Sequence, residues 1–224
     1  MNIDNFSKLF DHTLLKPYAD EESIKALCNE AIKYNFKTVA INNSNIEKAK
    51  KYLYNSEILI DAAVSFPLGQ CTLQTKLFET KDAINKGAGE VDYVINIAEV
   101  KNRNYDYIKN EMESIVDICR NCEVTSKVIF ENCYLNETEK IKLCEIANKV
   151  KPDFIKTSTG FGSGGTTIED VILMRNNTEK DIKIKAAGGI RSLDMVYKFL
   201  KAGAERIGTS NSVKIISEFN SLKD

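Results

Sequence analysis

Tryptophan is absent and histidine occurs once, as His12. Zinc centres and histidine clusters draw on several imidazole or thiolate ligands, so a lone histidine excludes most of that chemistry, and no metal is expected. A basic surplus is also missing: 31 Lys and Arg stand against 32 Asp and Glu, a net charge of −1. General binders of nucleic acid or of anionic membranes carry such a surplus, so neither partner is expected. Glycine (11) and proline (3) are too scarce for a collagenous or low-complexity chain. No apolar run approaches the length of a membrane-spanning helix. The first residues, MNIDNFSKLFDHTLLKP, lack a basic start leading into a long apolar run, so no secretion signal is expected. Six cysteines lie scattered along the chain, the usage of reduced thiols in cytoplasm. Cys119 and Cys122 form a C-x-x-C at the end of a helical pattern, where no helix dipole acidifies a thiol, and no second pair accompanies them.

What is present is a long alternation. Short β-branched or apolar runs predict strands at residues 8–12, 37–41, 58–64, 91–95, 126–131, 153–157, 182–186 and 206–208. Amphipathic segments lie between them, opened by cap signals at Ser44/Glu47, Asn136/Glu139, Thr166/Glu169 and Ser192, with Gly203 as a stop. Eight strands, about eight helices and a strand start every 28 residues or so match the repeat of an α/β (β/α)8 TIM barrel. No linker divides the 224 residues, so residues 1–224 are read as one domain. An open doubly wound sheet shares the alternation, but it normally announces its ligand with glycines at the first βα turn. Here that turn is HTLLKPYADEES.

Charge inside apolar strands then stands out. Asp92 shares one face of the fourth strand with Val94 and Asn96. Lys156 and Lys185 end the sixth and seventh strands, where barrels keep their functional groups. A single strand lysine is ordinarily a rim charge, and a lone aspartate a structural ion pair. Two lysines on neighbouring strands opposite an aspartate point to chemistry instead. Two close ammonium groups each raise the cost of protonating the other, and burial adds to that cost. The less solvated lysine becomes a free amine near neutrality and attacks carbonyls to form a Schiff base. Lys156 is the expected nucleophile, Lys185 the perturbing cation and Asp92 the proton acceptor and donor.

Glycines mark a second site. Gly188 and Gly189 follow the seventh strand, and Gly208-Thr209-Ser210 closes the eighth. Loops 7 and 8 of such barrels often hold phosphate, with backbone N–H groups brought close where no Cβ intervenes. Gly188, Gly189, Gly208 and Ser210 are therefore the expected anion-binding residues.

Seven stretches carry a family resemblance: DHTLLKP (11–17), FPLG (66–69), EVDYVINI (90–97), KVIFENCYL (127–135), FIKTSTGFGSGGTTIEDVILM (154–174), IKAAGGIRS (184–192) and ERIGTS (205–210). They span nearly the whole chain, and it resembles the deoxyribose-phosphate aldolases, class I enzymes on a TIM barrel. The resemblance implies that Lys156 forms an imine with acetaldehyde, that Lys185 depresses its pKa and that Asp92 relays protons. It places Gly188, Gly189 and Ser210 at the substrate phosphate. It also puts Asp11 among the substrate-binding residues, at an acidic position expected at the end of the first strand and paired with Lys185. The implied reaction is reversible cleavage of 2-deoxy-D-ribose 5-phosphate to D-glyceraldehyde 3-phosphate and acetaldehyde. The protonated imine is the electron sink, so no cofactor is expected. His12 is expected to be structural. Two other readings stay open: a different Schiff-base barrel enzyme, such as a transaldolase-like one, and a sugar-phosphate binding or regulatory protein without turnover. A homodimer is expected only because two-fold assemblies are commonest.

Overall fold

The computed structural model describes residues 3–222. Eight parallel strands close into a barrel in chain order: β1 (Phe10–Leu14), β2 (Thr38–Asn42), β3 (Leu59–Val64), β4 (Glu90–Val94), β5 (Thr125–Ile129), β6 (Phe154–Lys156), β7 (Lys183–Ala187) and β8 (Arg206–Thr209). Among the described residues, ten α-helices surround it: α1 (Ile3–Ser7), α2 (Glu21–Tyr34), α3 (Ile46–Tyr52), α4 (Leu73–Lys86), α5 (Ile97–Lys101), α6 (Tyr105–Asn121), α7 (Glu137–Val150), α8 (Ile168–Asn177), α9 (Leu193–Ala202) and α10 (Ser212–Ser221).

Each strand alternates. Its outward residues, such as Val39, Ile41, Val91, Tyr93, Val128, Ile155, Ile184 and Ile207, are completely buried against the helices. The helices answer with matching stripes. In α6, Ile108, Met112, Ile115, Val116 and Cys119 lie inward at helical spacing. Phe6 on α1 stacks on Phe219 of α10 at 4.3 Å and meets Phe10 edge-on at 5.3 Å. This apolar shell supplies the hydrophobic burial.

The barrel interior differs from the branched aliphatic filling usual in this architecture. Its buried inward positions include Asp11, Asp61, Glu90, Asp92, Lys127, Lys156, Lys185 and Arg206. Closing the barrel gathers charges from seven strands that are far apart in sequence.

Local signals hold in part. Asn136 and Glu139 form a reciprocal capping box, Ser192 caps α9, and Gly203 ends it with φ 111°. At Ser44 no capping box forms: a 3-10 turn (Asn43–Asn45) takes up those residues and α3 begins at Ile46. Thr167 caps α8 through the Asp170 N–H, one position after Thr166. The first strand lies two residues later than its pattern suggested, because α1 and the turn after it consume Lys8 and Leu9. Asp11 is therefore the second residue of β1, deep in the barrel, and not at its mouth. Cys122 ends α6, Cys119 is buried within it, and all six cysteines are free thiols.

A second buried ion pair fixes the end of β4 from outside. Lys76 of α4, fully buried, lies 2.8 Å from Glu111 of α6 and donates to the Val94 carbonyl at 2.8 Å. Glu111 accepts from the Asn96 N–H at 3.0 Å. Removing one partner of such a pair strands a buried charge, at a cost of about 3–5 kcal/mol. Lys76→Met should lower the unfolding free energy by that amount in urea titration, and Lys76→Met/Glu111→Leu should be more stable than the single variant.

Candidate active site

Lys156 is the last residue of β6 and Lys185 the third of β7, and strand register sets them side by side. Both ammonium groups reach one carboxylate oxygen. Lys156 Nζ donates to Asp92 Oδ2 at 2.5 Å, and Lys185 Nζ donates to the same atom at 2.6 Å. The two nitrogens are thus no more than about 5 Å apart, close enough for strong mutual repulsion. Asp92 Oδ1 faces Lys127 at 2.8 Å.

The two lysines differ in what else they touch. Lys185 also lies 2.5 Å from Asp11 and 2.8 Å from Asp61, with 1% of its surface exposed. Burial pulls its pKa down, but Asp11, Asp61 and Asp92 outweigh burial and hold it above the ordinary lysine value. Among the described residues, Lys156 has Asp92 alone within ion-pair distance. Burial lowers its pKa most, Asp92 opposes, and the Lys185 charge lowers it further, leaving a net depression. Phe66 covers it, with Nζ 5.8 Å from the ring centroid, and Phe161 closes edge-on upon Phe66 at 5.5 Å. One lysine is therefore a fixed cation and the other is primed to lose its proton. Desolvation leads this tuning, ahead of the charge of Lys185.

Asp92 is itself fully enclosed. Burial raises its pKa, but Lys127, Lys156 and Lys185 overcome burial and keep it well below the usual carboxylate range. Lys127 lies 2.7 Å from Glu90 and 2.8 Å from Asp61. Arg206 lies 2.6 Å from Asp11 and 2.9 Å from Glu90. Sequence reasoning passed over Asp61, Glu90, Lys127 and Arg206. The signal was the same one used for Asp92, a charge at an inward position of an apolar strand.

Lys156 forms the floor of a cavity of about 390 Å³ at the C-terminal mouth. Gly188, Gly189, Gly208 and Ser210 line it, as do Lys16, Thr159 and Arg191, which were not singled out from sequence. Lys16 and Arg191 bring positive charge to its walls. Gly188 and Gly189 have φ of 95° and 81°, which favours glycine. A Cβ on Gly188 would sit 3.3 Å from Ser158 Cβ and Gly165 Cα, whereas one on Gly189 would meet open space. Gly208 serves packing as well: a Cβ there would lie 2.9 Å from Ala187 Cβ and 3.1 Å from Lys185 Cε. The first amide of α9 is already bound by Glu218 at 2.7 Å, which leaves it no free N–H for an anion. Asp11 does not line the cavity. It is fully buried beside Lys185 and Arg206, as a counter-ion and not as a ligand contact.

Glu131 braces Thr159, a residue of the wall. It is buried with φ 48°, and its carboxylate accepts from the Thr159 N–H at 3.2 Å and from the Thr159 hydroxyl. His12 points outward from β1, its Nε2 2.8 Å from Glu30 and its ring 4.9 Å from Phe36.

Barrel, paired lysines and the cavity above them define the class, a TIM-barrel aldolase. Residues 6–215 match the DeoC/LacD family aldolase profile, and the chain belongs to that family. It is 53% identical over 213 residues to a deoxyribose-phosphate aldolase of Lactobacillus acidophilus, covering 95% of this chain and 90% of the relative. It is 49% identical to one of Clostridium perfringens, covering 96% of each. Among solved structures, "QR15, an Aldolase" superposes with a TM-score of 0.91 at 34% identity, covering 97% of this chain and 96% of that one. An Aeropyrum pernix deoxyribose phosphate aldolase, described as having a unique tetrameric structure, superposes with a TM-score of 0.91 at 28% identity over 99% of this chain and 93% of that one.

The geometry makes a prediction about tuning. Lys185→Met removes a cation near Lys156 and leaves Asp11, Asp61 and Asp92 less compensated. Both effects favour protonated Lys156, so the pH at half-maximal rate of imine formation should rise by roughly one unit or more. Rates of borohydride trapping across pH measure it.

Proposed function

We propose that this aldolase cleaves 2-deoxy-D-ribose 5-phosphate reversibly to D-glyceraldehyde 3-phosphate and acetaldehyde through a Schiff base on Lys156. The observation that carries the reading is the Asp92 oxygen shared by Lys156 and Lys185 on the floor of a cavity walled by Gly188, Gly189 and Ser210. The names of the relatives support the choice of substrate.

The neutral Lys156 amine adds to the C1 aldehyde of the open-chain sugar, and loss of water forms the iminium ion. Asp92, ionised and adjacent, takes the proton of the C3 hydroxyl. The C2–C3 bond breaks, its electron pair moves into the iminium, and glyceraldehyde 3-phosphate leaves. The enamine on Lys156 then takes a proton at C2 and is hydrolysed to acetaldehyde. Lys185 carries a positive charge before and after each of these steps and so holds Asp92 in place. The phosphate lies against loops 7 and 8, where Gly188, Gly189, Ser210 and the charge of Arg191 surround it. Six free thiols accord with a cytoplasmic setting, and we extend the reading to a homodimer, the commonest closed assembly. Light scattering distinguishes a dimer from a tetramer.

Borohydride added with acetaldehyde should fix a two-carbon group on Lys156, located by mass spectrometry. Lys156→Ala should fold, form no adduct and show no detectable turnover. A sugar-phosphate binding protein without turnover would form no adduct at any lysine. Ser210→Asp places a negative charge beside the phosphate, so KM for the phosphorylated sugar should rise about tenfold or more while acetaldehyde trapping stays unchanged.

A further inference from the structure

Lys156 must shed a proton to become a nucleophile, and its surroundings constrain where that proton goes. The interior cluster holds four carboxylates (Asp11, Asp61, Glu90, Asp92) and four cations (Lys127, Lys156, Lys185, Arg206), all buried. With Lys156 neutral, the carboxylates outnumber the cations by one. An uncompensated charge in a poorly solvated interior is costly, and one proton taken up by a carboxylate restores the balance.

We propose that Asp61 is the internal acceptor of the Lys156 proton, reached through Asp92 and Lys185, and that it returns the proton when the imine forms. The inference rests on the Schiff-base reading above and deepens it. A continuous chain of hydrogen bonds makes the path. Lys156 Nζ donates to Asp92 Oδ2 at 2.5 Å, Lys185 Nζ donates to that oxygen at 2.6 Å, and Lys185 Nζ donates to Asp61 Oδ2 at 2.8 Å. Lys185 passes a proton to Asp61 and is refilled from Lys156 by way of Asp92 Oδ2. Lys156–NH3+ and Asp61–COO− become Lys156–NH2 and Asp61–COOH, with Asp92 and Lys185 unchanged in charge. When the amine condenses with an aldehyde and water leaves, the proton on the imine nitrogen comes back along the same chain. Asp61 is ionised again, and the iminium stands as the fourth cation.

The four carboxylates are not equivalent. Asp11 is held by Lys185, by the Arg206 guanidinium at 2.6 Å and by the Thr38 hydroxyl at 2.9 Å. Asp92 has three lysines, and Glu90 has Lys127 and Arg206. Asp61 has Lys127 and Lys185, each at 2.8 Å, whereas the two cations of Glu90 do not include Lys185, which leaves Glu90 off the path. Around it stand Asp11 from β1, Glu90 and Asp92 from β4, Lys127 from β5, Lys185 from β7 and Arg206 from β8. Burial and the Asp92 charge push the Asp61 carboxyl up to about 6, whereas Asp11 and Asp92 are held below the usual carboxylate range. Of the three carboxylates that Lys185 touches, Asp61 is therefore the one for which a proton costs least.

The test reads the proton directly. Infrared difference spectra of the intact enzyme near pH 7.5, with 13C-labelled aspartate, are recorded before and after acetaldehyde. A carboxylic-acid C=O stretch should be present at rest, shift with the label and vanish as the imine forms. An indicator dye in weak buffer should register almost no proton uptake. Asp61→Asn keeps the shape but cannot ionise, so it should lack the band and take up about one proton per imine from solvent. Asp61→Ser serves in the same way if the amide variant does not fold. A parent enzyme that forms the adduct on Lys156 with no loss of a carboxylic-acid band overturns the inference alone, as does equal uptake in parent and variant. No adduct on Lys156 overturns the proposed function, and this inference with it.

Discussion

One carboxylate oxygen shared by two ammonium groups is the constraint on which the rest of this structure depends. Two cations within about 5 Å repel strongly where water is scarce. Asp92 Oδ2 makes the arrangement tolerable, and the surroundings then break its symmetry. Lys185 has two further carboxylates and stays charged. Lys156 has none and is covered by an aromatic ring. The difference in proton affinity comes from the counter-ions and solvent each lysine has, since the side chains are identical.

Such a cluster demands much from its scaffold. Each buried charge destabilises the fold unless its partners are held at contact distance. The apolar shell between strands and helices provides the rigidity, and its outward strand residues are buried and mostly apolar. Lys76 and Glu111 add an ionic clamp outside the barrel, at the strand that carries Asp92. Beneath the lysines the interior is a charge lattice, and above them it opens into a cavity walled by glycines. Gly208 joins the two levels, because its missing Cβ leaves room for the Lys185 side chain. Charge pairing, desolvation and ligand access are thus set within one strand layer of each other.

Much of this was legible from residue order. All eight strands fall within about two residues of their expected places, because β-branched runs between capped amphipathic helices are a strong signal. Lys156, Lys185 and Asp92 stood out as charges in apolar strands. The misses have physical causes. Asp11 was expected at a strand end, but the N-terminal helix displaced β1, so the carboxylate lies under the lysines. Ser44 matched a capping box, but the chain turns through a 3-10 segment there. Asp61, Glu90, Lys127 and Arg206 were passed over, since the partners of each lie on other strands. Nothing local shows that they converge.

The sequence alone determined the period, the inward or outward face of each residue and the residue types available at the mouth. These follow from alternation along a strand and from glycine placement, both properties of neighbouring residues. The tertiary structure alone decided which charges meet, which oxygen the two lysines share and how far each nitrogen is from water. Coulomb energy and desolvation depend on distances across the barrel, between strands separated by up to 195 positions, as with Asp11 and Arg206. No pattern along the chain encodes such distances until the sheet has closed.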